Sequence, residues 1–119
     1  MINKIILASR SGVRKKILNQ NAIICEVIPA DIDENQVKES LIEEKATPEI
    51  ISKNLAELKA NKISKKNPNE ITLGADSVID LKGELISKPA NREEALIIIK
   101  KLNGKKHQLI SSVCVSKNG

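Results

Sequence analysis

The run KIILAS, Lys4 to Ser9, is apolar and β-branched, and Ser11-Gly12 follows it at once, opening a segment with Val13, Ile17 and Leu18 at helical spacing. This reads as strand, tight turn and helix. Ala22 to Ile28 (AIICEVI) reads as a second strand, and Asp31, Ile32, Asp33 and Glu34 then begin a polar, acidic connection. Thr47-Pro48-Glu49 has the form of a helix start, with a capping hydroxyl, a proline at the first helical position and an acid in the first turn. That helix is expected to run to about Lys66, with Ile51, Leu55, Leu58 and Ile63 on one stripe, and Asn67-Pro68-Asn69 ends it. A strand from Ile71 to Ile79, a turn from Asp80 to Gly83 and a short return strand from Glu84 to Ser87 come next. Asn91-Arg92-Glu93-Glu94 resembles a capping box leading into a helix with Ala95, Leu96, Ile99 and Leu102, which Asn103-Gly104 stops. The stretch from His107 to Ser116 alternates like a strand. Strands and helices succeeding one another in this way make an α/β domain, with a mixed central sheet flanked by helices. Asn118-Gly119 is a hairpin signal with no returning strand, so an unpaired edge is expected and the chain reads as part of a larger domain.

With 119 residues the chain is one domain, and no repeat or linker divides it. It contains no Phe, Tyr or Trp. Ile, Leu and Val can still build a core, but the usual base-stacking platforms of single-strand nucleic-acid binders are excluded. No apolar stretch approaches membrane-spanning length, and Arg10 and Arg14 follow the first apolar run too soon for a signal peptide. A net charge of +5 suits an anionic partner (nucleotide, nucleic acid or acidic membrane), or reflects the base composition of the genome. Two distant cysteines and one histidine assemble neither a disulfide framework nor a zinc site, which fits a reducing cytoplasm.

Four places could carry chemistry. Ser9 to Lys16 puts Arg10, Arg14, Lys15 and Lys16 at a helix start with no acid in its first turn. A helix N-terminus is electropositive already, so this arrangement suits a bound anion. Backbone N–H groups, the hydroxyls of Ser9 and Ser11, and the Arg14 and Lys15 side chains could hold a phosphate chain; a capping serine followed by solvated lysines is the other reading. Asp76 lies in the apolar stretch ITLGADSVI, so it is paired, metal-bound or at an exposed strand end, with Gly74 and Ala75 leaving room for close approach of a ligand. Lys59 starts beside the apolar stripe of its helix, and Lys88 precedes Pro89, which restricts where it points. Each could equally be an ordinary snorkelling or loop lysine. Asp31, Asp33 and Glu34 suit Mg²⁺ through one or two direct ligands and several waters, or form a solvated acidic loop. His107, beside Lys105 and Lys106, has the setting of a structural hydrogen bond rather than a catalytic task.

Taken in order, these pieces resemble the Maf family of nucleoside triphosphate pyrophosphatases. The chain has Leu7-Ala8-Ser9-Arg10-Ser11-Gly12 where the family opens with Leu-Ala-Ser-x-Ser-Pro, then Asp33-Glu34, Leu55-Ala56-Glu57-Leu58-Lys59-Ala60 for Leu-Ala-x-x-Lys-Ala, and Gly74-Ala75-Asp76-Ser77-Val78 for Gly-Ala-Asp-(Thr or Gln)-Val. Gly83 through Lys88-Pro89 and Leu102-Asn103-Gly104-Lys105-Lys106-His107 complete the series. Gly12 replaces the family's proline. Val13 before Arg14 and Lys15 after it are more similar to the subgroup acting on methylated GTP than to the one acting on dTTP and UTP, and Ser77 matches neither.

The resemblance implies a Maf/inosine-triphosphatase-like fold and hydrolysis between the α and β phosphates, giving a nucleoside monophosphate and pyrophosphate. It makes Asp76 the proton acceptor, Ser9, Ser11, Arg14, Lys15, Lys59 and Lys88 the substrate-binding residues, and Glu34 and Asp76 the ligands of a divalent metal, Mg²⁺. It also implies a link to arrest of septum formation and to clearing modified nucleotides. The partner is then a nucleoside triphosphate, with no membrane and no nucleic acid, and a homodimer is compatible with it. Family members continue into a second half with a Gly-rich, aromatic-containing segment, so the domain is expected to be incomplete at its C-terminal side and weakly active or inactive alone. Two alternatives stand beside this: a basic nucleic-acid-binding module, and a non-catalytic regulator of division.

Overall fold

Thr47 starts a helix by the local chemistry of its side chain. Its hydroxyl accepts a hydrogen bond from the Ile50 backbone N–H at 3.3 Å, and Pro48 takes the first helical position, where a missing N–H costs nothing. In the computed structural model, which describes residues 5–9, 12–86 and 91–119, this helix spans Pro48–Lys66. Numbered in chain order, the elements are β1 (Ile5–Leu7), α1 (Gly12–Gln20), β2 (Cys25–Val27), α2 (Glu34–Glu43), α3 (Pro48–Lys66), β3 (Thr72–Leu81), β4 (Glu84–Ile86), α4 (Arg92–Leu102) and β5 (Gln108–Ser116).

Three local expectations are corrected. The acidic connection after the second strand is helix α2: Asp33 caps it, its carboxylate accepting from the Gln36 N–H at 3.1 Å. The second strand is shorter than expected, because Ile23 N–H bonds back to Leu18 O at 2.9 Å and Ala22 sits at φ 59°, so these residues finish α1. β3 runs on to Leu81, and the two-residue turn is Lys82-Gly83, at φ 51° and 89°, with the Asp80 carboxylate accepting from the Gly83 N–H. The proposed end of the return strand, Ser87, lies outside the described residues.

α3 packs on β3 through an interface rich in small residues. Its buried residues are Pro48, Ile51, Ser52, Leu55, Ala56, Ala60, Ile63 and Ser64. At 3.6 residues per turn this arc has Lys59 near its middle, while Leu58 falls past one edge and is 43% exposed, which corrects the expected stripe. A Cβ added at Gly74 would lie 2.4 Å from the Ala56 carbonyl oxygen and 2.6 Å from the Ala60 nitrogen. The room that Gly74 leaves is therefore filled by helix backbone and is not open to a ligand.

β1 pairs in parallel with β2, from Ile5↔Cys25 to Leu7↔Val27, and with β3 at Ile6↔Thr72 and Leu7↔Leu73. β5 pairs antiparallel with β3 along its length, from Thr72↔Ser116 to Asp80↔Gln108. β4 pairs antiparallel with the far end of β3, from Ile79↔Ile86 to Leu81↔Glu84. Since β5 occupies one side of β3, β1 and β4 share the other at opposite ends. Between Leu73 and Ile79 no described strand pairs on that side, and Asp76 stands in the middle of this gap. β5 thus pairs with β3 on one side; among the described residues its other side is unpaired. Asn118 still serves the fold, its side-chain oxygen accepting from the Asn69 N–H at 2.8 Å.

Ile6, Ala8 and Ile63 form a buried cluster, with Ile28 and Ala30 packed against it. By contrast α4 buries none of its residues, and Leu96, Ile97 and Ile99 are exposed, as are Leu109, Val113 and Val115 of β5. No described helix is long and apolar enough to cross a membrane. Gly74→Ala is expected to destabilise the domain by about 1–3 kcal/mol or more, because backbone must move to admit the methyl group. Gly12→Ala, where a Cβ meets nothing within 4 Å, should be neutral or mildly stabilising. Urea denaturation of the two variants checks the contrast.

Candidate active site

Four elements meet at the gap in the sheet. The chain leaving β1 brings Ser9, α1 brings Arg14, α2 brings Glu34 and Lys38, and α3 brings Lys59 to face Asp76 and Ser77 of β3. Together with Asp31 they line a cavity of about 490 Å³. This lies beyond the carboxyl ends of the parallel strands β1 and β2, where open α/β sheets place their ligands.

α3 holds Asp76 and the residue before it at three points. Lys59 Nζ donates to its carboxylate Oδ1 at 3.2 Å and to the Ala75 carbonyl at 3.4 Å, and the Ser52 hydroxyl donates to the Asp76 carbonyl at 3.2 Å. Residues 52 and 59 are two turns apart, so both reach the same stretch of β3. Lys59 Nζ also lies 2.5 Å from Glu34 Oε1, which makes it a bridge between the two carboxylates. Asp76 is only 7% exposed, and its Oδ2 has no hydrogen-bond partner. Burial pushes its carboxyl above the usual carboxylate range, against the opposing pull of the Lys59 charge and hydrogen bond; the nearby Glu34 carboxylate adds to the rise, and Lys38 reduces it.

The opposite side of the cavity is built on hydroxyls. Arg14 donates from Nη1 to Ser9 Oγ at 2.9 Å and from Nη2 to Ser77 Oγ at 3.4 Å. These two hydroxyls help to orient the guanidinium. The lining carries three cations (Arg14, Lys38, Lys59) and three acids (Asp31, Glu34, Asp76), but not evenly. Lys59 is shared by two carboxylates, Lys38 lies near enough to Asp76 to act on its charge, and Arg14 stands at the hydroxyl side. Such a cavity suits an anion at one side and a cation at the other.

Of the residues singled out in the sequence, the structure brings together Ser9, Arg14, Glu34, Lys59 and Asp76. Lys15 is exposed on α1 and does not line the cavity. Ser11 and Lys88 lie outside the described residues. The acidic trio is divided: Asp33 is spent as the cap of α2, Asp31 and Glu34 line the cavity, and the Asp31 carbonyl accepts from Lys62. His107 is exposed, its Nδ1 3.3 Å from Lys105 O, at a separate cleft by the β3–β4 turn. Lys38 and the hydroxyl of Ser77 were not singled out as site groups. The pattern Asp33-x-x-Gln36 is a helix-start signal, and reading it would have put Glu34 and Lys38 one turn apart on a helix.

A family model described as Maf-like protein matches residues 4–119. A protein of Pelagibacter ubique (strain HTCC1062) named nucleoside triphosphate pyrophosphatase is 68% identical over 119 residues, all of this chain and 61% of the relative. One of the same name from Roseobacter denitrificans (strain ATCC 33942 / OCh 114) is 41% identical, and a 7-methyl-GTP pyrophosphatase of Brucella abortus biovar 1 (strain 9-941) is 40% identical, each over all of this chain and 60% of the relative. The chain therefore spans about three fifths of the length of these relatives.

A folded carboxyl titrating above its unfolded value gives stability that is complete below the unfolded value and is lost as pH rises through the folded one. Asp76→Asn removes that dependence. The melting temperature of the parent chain minus that of the variant should fall as pH rises out of the ordinary carboxylate range, then level off. A difference that stays flat from about pH 3 to pH 8 would contradict the burial argument.

Proposed function

The chain belongs to the Maf-like protein family, and on that premise we propose that its cavity takes the phosphates of a nucleoside triphosphate, whose α–β anhydride is hydrolysed to a nucleoside monophosphate and pyrophosphate. The observation that carries this reading is Asp76: a buried carboxylate with its pKa raised, one oxygen held by Lys59 and the other without a partner, facing an arginine oriented on hydroxyls. A raised pKa makes a carboxylate a better proton acceptor near neutral pH. Asp76 takes a proton from the water that attacks phosphorus, the anhydride P–O bond breaks, and pyrophosphate leaves. Ser9 and Arg14 position phosphate oxygens and stabilise the charge that develops on them, with Ser11 and Lys88 assigned to the same task by resemblance; Lys15, which does not line the cavity, takes no part in it. Lys59 fixes the Asp76 carboxylate and adds positive charge beside the reacting group.

The donor set also fits a divalent cation. Asp76 Oδ2 is buried without a hydrogen bond, and Glu34 stands on the other side of Lys59. Two carboxylates suit Mg²⁺, which keeps several waters and takes one or two carboxylates plus substrate oxygens. Glu34 and Asp76 would hold it, and when bound it would neutralise charge on the phosphates.

Val13 and Lys15, flanking Arg14, place methylated GTP first among the bases to test, ahead of dTTP and UTP. In the cell this activity would remove modified nucleotides from the cytoplasmic pool, with arrest of septum formation as a further role. A pyrophosphate-release screen with Mg²⁺ over canonical and modified triphosphates tests the proposal, run on this chain and on this chain joined to the part of the Pelagibacter relative it does not span. Pyrophosphate without orthophosphate is expected, abolished by chelation of the metal and reduced at least about a hundredfold by Asp76→Asn. Release that survives Asp76→Asn unchanged would refute the assignment.

A further inference from the structure

The Arg14 side of the cavity rests on a residue that does not line it. We propose that Ser111, on β5, is a positioning residue that holds the Arg14 guanidinium in place through the hydroxyl of Ser77. Ser111 is the register partner of Ser77 across the antiparallel β3–β5 ladder, and the two Oγ atoms are 2.9 Å apart. Arg14 Nη2 donates to that same Ser77 oxygen at 3.4 Å, and Nη1 donates to Ser9 Oγ at 2.9 Å. The three serines and the arginine thus form one connected chain from the edge strand into the cavity.

The chemistry of a hydroxyl makes this chain work in either direction. A serine oxygen offers one proton and two lone pairs. If Ser77 donates to Ser111, both of its lone pairs stay on the Arg14 side. If Ser111 donates to Ser77, one lone pair remains for Arg14, and the Ser77 proton is released toward the cavity that Ser77 lines. In both cases the second hydroxyl selects one rotamer of Ser77 out of three staggered wells. Without it, Ser77 can turn its oxygen away, and the planar guanidinium loses the Nη2 contact that ties it to β3. A planar, forked donor recognises phosphate oxygens by direction as well as charge, so its orientation matters to binding. This role rests on reading the cavity as a polyphosphate site, but the contact chain itself can be tested apart from that reading.

The test uses the full chain with ¹⁵N-labelled arginine, comparing the parent with Ser111→Ala, Ser111→Thr, Ser77→Ala and the Ser77→Ala/Ser111→Ala double variant. Guanidinium rotation of Arg14 is followed by NMR, and affinity for inorganic tripolyphosphate by calorimetry. Ser111→Ala is expected to speed Arg14 rotation and to weaken tripolyphosphate about fivefold, the size of one lost hydrogen bond. Ser111→Thr, which keeps the hydroxyl, should restore both, and the double variant should be no worse than Ser77→Ala alone. Unaltered Arg14 rotation in Ser111→Ala, or failure of Ser111→Thr to rescue it, overturns the proposal. If the parent chain does not bind tripolyphosphate, the polyphosphate reading falls, and the rotation data still decide whether Ser111 positions Arg14.

Discussion

Helix α3 and strand β3 touch backbone to backbone at Gly74, where a Cβ would sit 2.4 Å from the Ala56 carbonyl oxygen and 2.8 Å from the Ala60 Cβ. Three small residues make this approach possible. Its consequence lies one turn away: Lys59, in the middle of the buried arc of α3, is brought within 3.2 Å of Asp76, and Ser52 reaches the Asp76 backbone. An aliphatic lysine stem can lie along an apolar interface while its head finds carboxylates, so the packing of the core and the assembly of the site are one event. The gap between β1 and β4 on the same side of β3 then leaves Asp76 facing a cavity rather than a neighbouring strand.

The electrostatics follow from that placement. A buried carboxylate next to a lysine could be expected to ionise easily, yet here loss of hydration outweighs the lysine and raises the pKa. Part of the reason is that Lys59 is shared with Glu34, so neither carboxylate has the cation to itself. The unpartnered Oδ2 leaves Asp76 with unused acceptor capacity in a nearly dry place, a costly arrangement for stability alone. A group kept in that state at the wall of a cavity is better placed to receive a proton or a cation than one fully satisfied by its neighbours.

Much of this was legible in the sequence wherever the cause is local. The caps Thr47 and Asn91 announce α3 and α4 through side chains that bond to nearby backbone, and the period of α3 places Lys59 beside its buried face. Helix α2 is hidden in the sequence because Asp33 sits in a cluster of acids, while its carboxylate caps the Gln36 N–H. Gly74 was ambiguous for a physical reason: a glycine in a strand signals close approach, and only the tertiary fold tells whether a ligand or a helix approaches. The partner of β5 depends on pairing residues far apart in the chain, as with Ser77 and Ser111, which no local pattern encodes. The same separation hid the hydroxyl chain behind Arg14.

The account depends most on Asp76 being a desolvated carboxyl at a place able to accept a cation. Carbon-13 NMR of its side-chain carboxyl, titrated with and without Mg²⁺, measures that state directly. A titration above the ordinary carboxylate range, moved downward by Mg²⁺ and not by the same ionic strength of a monovalent salt, is the predicted result. A carboxyl that titrates at or below the ordinary range and ignores Mg²⁺ would contradict it.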